Sequence, residues 1–435
     1  MNERNQSLDG LMDYIEKGVS PFHTVQRAAE DFAMAGYEEL SLCDNWQLNR
    51  GGCYYVKAYD SSLFAFRINK GFARLQSFRI AAAHTDWPCM RIKSAPDLSQ
   101  GTYAKLNVET YGGPILNTWL DRPLSAAGRV VLRGESCFSP VTRLVDFHRP
   151  ICTIPNLAIH MNHDINKGIE LNKQKDMAPL IGQALAGELN QKDYFIRILA
   201  EEMGVSPEDI LFFELSVYNC DKPDILGGKG EFLSAPRLDN LTSVKACVDG
   251  LLAGTERRGG IDMAVLFDHE EIGSRTKQGA GSVLLPRIME KICRSFGYTD
   301  EDCLNSRLKS FFLSVDVAHG IHPSQPDKSD VTNLVYLNGG VAIKAESNQK
   351  YATDGEAIAV VRSLCDKYGI PSQLFANRSD VGSGSTLGSI ASSFAVMRTA
   401  DIGIPLLTMH SARELMGVGD EAALTGLLKA YWNEQ

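Results

Sequence analysis

AVLFDHEEIGS, residues 264–274, is an apolar run that stops abruptly in charge. The run 261–267 reads as a buried strand. Asp268, His269, Glu270 and Glu271 read as the loop just past its C-terminal end. In open α/β sheets that edge is where ligands bind, because side chains from several strands meet there. Two adjacent glutamates in such a place raise each other's pKa, and a divalent cation is the usual remedy. One carboxylate then ligates the cation while the other handles protons.

Working outward, other apolar runs also end in a metal-type ligand. A strand over 77–83 runs into His84-Thr85-Asp86. A strand over 311–317 carries Asp316 at its end, with His319 and His322 beyond. A short strand over 406–409 stops at His410, and a helix over 240–252 opens just after Asp239. Strands are also expected at 54–58 and 62–68, and helices at 283–296, 354–368 and 421–432. Residues 7–36 carry two apolar stripes at helical spacing, with Pro21 between them placed to open a second helix. Between 91 and 234 the texture changes to short β-like runs and glycine turns, with a polar, irregular part at 164–191 and a helix at 193–202. That block reads as an inserted domain of ordinary size.

Two histidines with several carboxylates suit zinc, or manganese or cobalt. His84, Asp239, Glu271, Asp316 and His410 are five ligands, too many for one tetrahedral zinc with an open position. They suit two ions about 3.5–4 Å apart, with Asp239 as the bridge. Glu270 is left over as the proton carrier, and Asp86 is placed to hold the ring of His84. Each residue alone has a bland reading. Asp239 is a fair N-cap, His410 a structural histidine, and Glu270-Glu271 a solvated pair. Their joint occurrence at strand ends and a helix start favours a metal site. The glycine-rich loop 382–386 lacks the P-loop arrangement, so its phosphate-binding signal is weak.

Bulk properties narrow the classes. The chain has 435 residues, enough for two or three domains. Its net charge of −9 and lack of basic runs exclude a nucleic-acid binder. Ten cysteines with no C-x-x-C pair fit a reducing, cytoplasmic setting. The N-terminus has no apolar signal core, and no run is long enough to span a membrane.

The pieces AAAHTDWP, PRLDNLTS, DHEEIGS, SVDVAHGIHP and TMHSARELMG, in this order, resemble the aspartyl aminopeptidase family of two-zinc metallopeptidases. The resemblance runs nearly end to end. It implies an α/β fold: a three-layer αβα catalytic domain (1–90 and 235–435) with a mixed, mostly parallel sheet, and an inserted β-rich dimerisation domain (91–234). It implies two Zn2+ per subunit on His84, Asp239, Glu271, Asp316 and His410, bridged by Asp239, with Glu270 as general base. The expected activity is removal of N-terminal residues, acidic ones by preference, from peptides with a free N-terminus, using a water activated by the two metals. His160, in NLAIHMN, matches a histidine that reaches a neighbouring subunit's active site. Lys344 is placed to hold an acidic substrate side chain, while Ser383 and Gly384 lie beside the substrate and His319 and His322 line the same pocket. Gly382-Ser383 stands where the family commonly has Pro-Cys. The implied assembly is a homo-oligomer, a dodecamer built from dimers. Rival readings are another two-metal exopeptidase, an N-acyl amino acid hydrolase, and a non-catalytic scaffold with a structural metal.

Overall fold

In the computed structural model, residues 261–267 form the strand Ile261–Phe267, and all seven are buried. It runs parallel to Phe78–His84 on one side and antiparallel to Ser62–Ile68 on the other. A strand covered on both faces must be apolar nearly throughout. Asp262 is the exception and is fully buried. Arg257 and Arg67 stand 2.6 and 2.9 Å from its carboxylate, and Asn69 donates to it at 3.1 Å, so the charge is compensated. The structure describes residues 3–183, 193–382 and 384–435. Ser383 and the last residues of the irregular stretch expected at 164–191 lie outside them.

The chain divides into two units. The first comprises Met1–Asp86, Pro223–Met409 and Glu414–Gln435; the second comprises Trp87–Lys222 and His410–Arg413. The first is built on a nine-stranded sheet. Its spatial order is Glu38–Leu40, Cys53–Ala58, Ser62–Ile68, Ile261–Phe267, Phe78–His84, Phe311–Val315, Arg398–Gly403, Val341–Lys344 and Ser372–Phe375. The four strands from Ile261–Phe267 to Arg398–Gly403 are mutually parallel. Antiparallel pairs occur at Ser62–Ile68 and at Val341–Lys344, so the sheet is mixed and mostly parallel.

Side-chain alternation sends this sheet's residues to two faces. Ile80, Ala82 and Val265 join one core with Leu285, Ile288 and Leu387, from the helices Leu284–Ser295 and Leu387–Ala395. Ala81 and Ala83 point the other way. On the Phe78–His84 strand packs the helix Leu238–Leu252, itself packed against Asp420–Asn433. The result is a three-layer arrangement. A smaller sheet orders Asp224–Leu226, Phe232–Ala235, Glu414–Gly417, Pro405–Leu407 and Ala318–His319.

The second unit holds a six-stranded antiparallel sheet: Val141–Asp146, Leu124–Leu132, Ile210–Asn219, Cys89–Gln100, Tyr103–Tyr111 and Leu180–Gln183. Its edges fall at Trp87 and Lys222, where the sequence reading set them at 91 and 234. The reason is strand pairing. Cys89–Gln100 belongs to the six-stranded sheet, whereas Phe232–Ala235 pairs with Glu414–Gly417 of the first unit.

Other elements follow the sequence with small shifts. The expected 7–36 segment is two helices, Glu3–Lys17 and Pro21–Met34; Ser20 accepts from the His23 amide at 3.3 Å and Pro21 opens the second helix. The strand expected over 311–317 ends at Val315, and the one expected over 406–409 is Pro405–Leu407. Among the described residues, no helix is long and apolar enough to cross a membrane, and all ten cysteines are free thiols.

Candidate metal centre

Strand register brings the site together. Phe267 lies level with His84 in the parallel pair, so the charged turn after Phe267 starts beside that histidine. Ser314 lies level with Ala82 on the other side, so Asp316, two residues on, reaches the level of His84. Asp239 comes from the start of the helix that packs on the same strand. That start is not helical: Asp239 has φ −82° and ψ 103°, and the chain turns into the helix only after Asn240. The side chain of Asp239 is thereby aimed at the strand ends instead of capping its own helix.

The distances are compatible with a shared cation. His84 Nε2 stands 3.3 Å from Asp239 Oδ1 and 3.5 Å from Asp316 Oδ1. One ligand atom each from His84, Asp239 and Glu271 lie within 4.8 Å of one another. Two ligands on one tetrahedral zinc, each bonded at about 2.0–2.1 Å, sit roughly 3.3 Å apart. The other ring nitrogen of His84 faces Asp86, 3.0 Å from its carbonyl and 3.4 Å from its carboxylate. The Asp86 carboxylate also accepts from the amides of Glu270 and Glu271, both at 3.1 Å. One carboxylate thus ties the histidine ring to the two-glutamate turn, the outer support that metal-ligating histidines usually have.

Charge explains why a cation belongs here. Asp86, Asp239, Glu270, Glu271 and Asp316 crowd around the His84 imidazole and the Lys344 ammonium. Burial raises the Glu270 carboxyl to about 8; Asp316, Asp86 and Asp239 push the same way and His84 opposes them. Burial, Asp239 and Glu270 hold Glu271 well above the usual carboxylate range. Burial disfavours charge on His84, but hydrogen bonds to Asp239, Asp316 and Asp86 outweigh it and hold the ring well above its ordinary pKa. Burial also works against ionised Asp316, yet Lys344 and His84 prevail and keep that carboxyl low. A divalent cation among these groups replaces the protons they otherwise retain. The donor set, imidazole nitrogen plus carboxylate oxygens, fits zinc.

A pH dependence follows for the metal-free protein. Glu270, Glu271 and His84 all bind protons more tightly folded than unfolded. Each group's contribution to stability is fully present below its own unfolded pKa and is lost as pH rises through its folded value. The Asp316 shift acts in the opposite sense, but only below pH 4. The melting temperature of chelated protein is expected to fall from pH 5 to pH 8, the window set by Glu270, while zinc-loaded protein gains stability over the same range because ligation displaces those protons. Parallel melting curves at the two pH values, with and without zinc, measure this.

The remaining sequence-predicted residues are dispersed. Lys344 is not the solvated lysine that its position after a strand suggests. It is the last residue of Val341–Lys344 and buried, with Nζ donating to the Val317 carbonyl at 3.0 Å and 3.8 Å from Asp316 Oδ2. His319, His322 and Gly384 line a cleft of about 280 Å³ together with Lys328 and Arg378, two cations that sequence reasoning did not single out. His410 belongs to the second unit, where its Nδ1 stands 3.2 Å from the Gly113 carbonyl. His160 also belongs to the second unit, exposed on the 3-10 turn Ile159–Met161. Ser383 lies outside the described residues. Sequence reasoning also gave no role to Asn240, which donates to the Val315 carbonyl at 3.0 Å. Its only signal was adjacency to Asp239.

Residues 14–432 match the family model of aminopeptidase I zinc metalloproteases, M18. The chain is 42% identical over 434 residues to the "Probable M18 family aminopeptidase 2" of Clostridium novyi (strain NT), and the match spans all of both chains. A chain of the solved Ape4 and Nbr1 complex superposes with a TM-score of 0.95 at 33% identity, covering 99% of this chain and 86% of that one. The S. cerevisiae mApe1 dodecamer gives a TM-score of 0.86 at 26% identity, with 99% and 97% covered.

Proposed function

The chain belongs to the M18 family of zinc aminopeptidases, and on that premise we propose that it removes acidic residues, Asp and Glu, from the N-terminus of peptides. The observation that carries the catalytic reading is the convergence of His84, Asp239 and Glu271 beside Glu270. In this reading His84, Asp239, Glu271 and Asp316 would hold two zinc ions; manganese or cobalt suits the same donors. His410 is proposed as the fifth ligand on the strength of the motif TMHSARELMG alone. Zinc, when bound, supplies Lewis acidity that polarises the scissile carbonyl and acidifies water. Glu270 takes the proton from the attacking water onto its carboxylate and returns it to the leaving amine. Asp86 keeps the His84 ring and the Glu270-Glu271 turn in fixed relation. His160 is proposed to act in a neighbouring subunit, hydrogen bonding the carbonyl oxygen as it gains charge.

Two features support the acidic preference. The cleft lined by His319, His322, Lys328 and Arg378 sets two cations and two imidazoles against one carboxylate, Asp330, with Arg378 paired to Asp380. Lys344 keeps its charge in a buried position, because Asp316, Tyr351, Asp401 and Asp239 together outweigh the penalty of burial. A homo-oligomer, a dodecamer built from dimers with the second unit as the dimerisation domain, is proposed; one relative is solved as a dodecamer. A cytoplasmic setting suits ten free thiols.

Aminoacyl reporters carrying Asp, Glu, Leu or Ala, assayed with matching N-acyl amino acids, test the substrate. The expected result is a kcat/KM for Asp or Glu at least tenfold above Leu and Ala, with no turnover of acylated compounds. Preferential hydrolysis of the acylated set would transfer the site to the N-acyl amino acid hydrolase reading.

A further inference from the structure

We propose that Glu414 is a positioning residue that fixes Asp239 where it can serve as a metal ligand. The inference rests on reading Asp239 as a ligand. Because Asp239 sits in the non-helical start of its helix segment, its amide is free of the helical ladder. That amide donates to Glu414 Oε2 at 3.0 Å, and Glu414 is only 3% exposed. A buried carboxylate accepting from a main-chain N–H makes a strong, directional bond.

Backbone pairing fixes the other end of the clamp. Glu414 opens the strand Glu414–Gly417 and pairs in register with Ala235, four residues before Asp239. The strand that leads into Asp239 is therefore laddered to the strand that supplies Glu414, and the side chain closes the loop between them. On the far side of Asp239, Asn240 is fully buried and binds the Val315 carbonyl, the residue before Asp316. Asp239 is thus held from both sides. Asn240 ties it to the strand that presents Asp316, and Glu414 ties it to the smaller sheet. With Glu414 removed, the chain at Asp239 loses one of the restraints that set its carboxylate 3.3 Å from His84 Nε2.

The role predicts a pattern across variants that loss of folding alone does not give. Glu414→Gln retains an amide oxygen at the same reach and should keep zinc affinity within about threefold. Glu414→Ala should weaken zinc binding by about 10- to 100-fold, the usual cost of losing an outer support. Zinc affinity is read by competition with a chromophoric chelator, without reference to turnover, and thermal melting of the chelated proteins reports folding. If Glu414→Ala does not fold, Glu414→Asp, which withdraws the carboxylate by one methylene, carries the same test. Wild-type zinc affinity in a folded Glu414→Ala, or an equal loss in Glu414→Gln, overturns the proposal. Asp239→Asn is the reference: if it leaves zinc affinity unchanged, the ligand reading fails first. If it weakens zinc and Glu414→Ala does not, the positioning role fails alone.

Discussion

Glu270→Gln is expected to retain zinc and to lower kcat by about 10²- to 10⁴-fold, the range contributed by a positioned general base. That loss corresponds to roughly 2.7–5.5 kcal/mol of barrier. The substitution is nearly isosteric, and the hydrogen bond to Asp86 is donated by the Glu270 main-chain N–H, so the turn should survive it. Glu270 is also outside the group of His84, Asp239 and Glu271 whose ligand atoms converge. The measurements are zinc content and steady-state hydrolysis of an aspartyl reporter. Unchanged zinc with KM near wild type and a collapsed kcat assigns proton transfer to this carboxylate. A wild-type rate removes it from that role, and a loss of zinc equal to the loss of rate makes it a ligand.

The order of elements in the first unit was legible because its ligands follow apolar runs. His84 closes a run of three alanines, and Glu270-Glu271 follow a run of buried residues; parallel register then sets them side by side without any further signal. The strand Arg398–Gly403 was not legible, although it lies centrally between Phe311–Val315 and Val341–Lys344. Its sequence, RTADIG, has one strongly β-forming aliphatic residue, so local propensity gives almost no signal. Tertiary partners decide it instead. Buried Asp401 accepts from the Ala352 amide, and its own amide donates to Thr353.

The site shows the same limit. Asp239 was legible as a polar residue at a helix start, and both of its readings were open. Only the backbone break at Asp239 and Asn240 turns the side chain from cap to cluster. Lys344 misleads in the other direction, because a lysine next to a strand end usually reaches water. Here the Val317 carbonyl and the Asp316 carboxylate, both beyond the end of a different strand, compensate its charge in the interior. Pairings across more than 20 residues of sequence carry no local pattern. Glu414 illustrates this best: nothing in TMHSARELMG indicates that its partner is an amide 175 positions away.

Removal of zinc should have the second large effect, on activity and stability together. Chelation is expected to abolish hydrolysis and to lower the melting temperature, most strongly near pH 8, where Glu270 and Glu271 are forced toward ionisation with no cation between them. A ligand that binds only the folded state adds about 2.7 kcal/mol at a hundredfold excess over its Kd and about 4.1 kcal/mol at a thousandfold excess. The melting shift on zinc add-back should therefore grow with zinc concentration and saturate in activity much earlier. His84→Ala takes away the one imidazole that faces both Asp239 and Asp316. Its melting temperature should respond far less to zinc at pH 8, and no zinc concentration should restore wild-type hydrolysis. The decisive comparison is add-back to chelated wild type and to His84→Ala in parallel. Full recovery of the variant would mean that the ions bind elsewhere, whereas activity in a wild-type preparation verified to be metal-free would remove the metal from the reaction altogether.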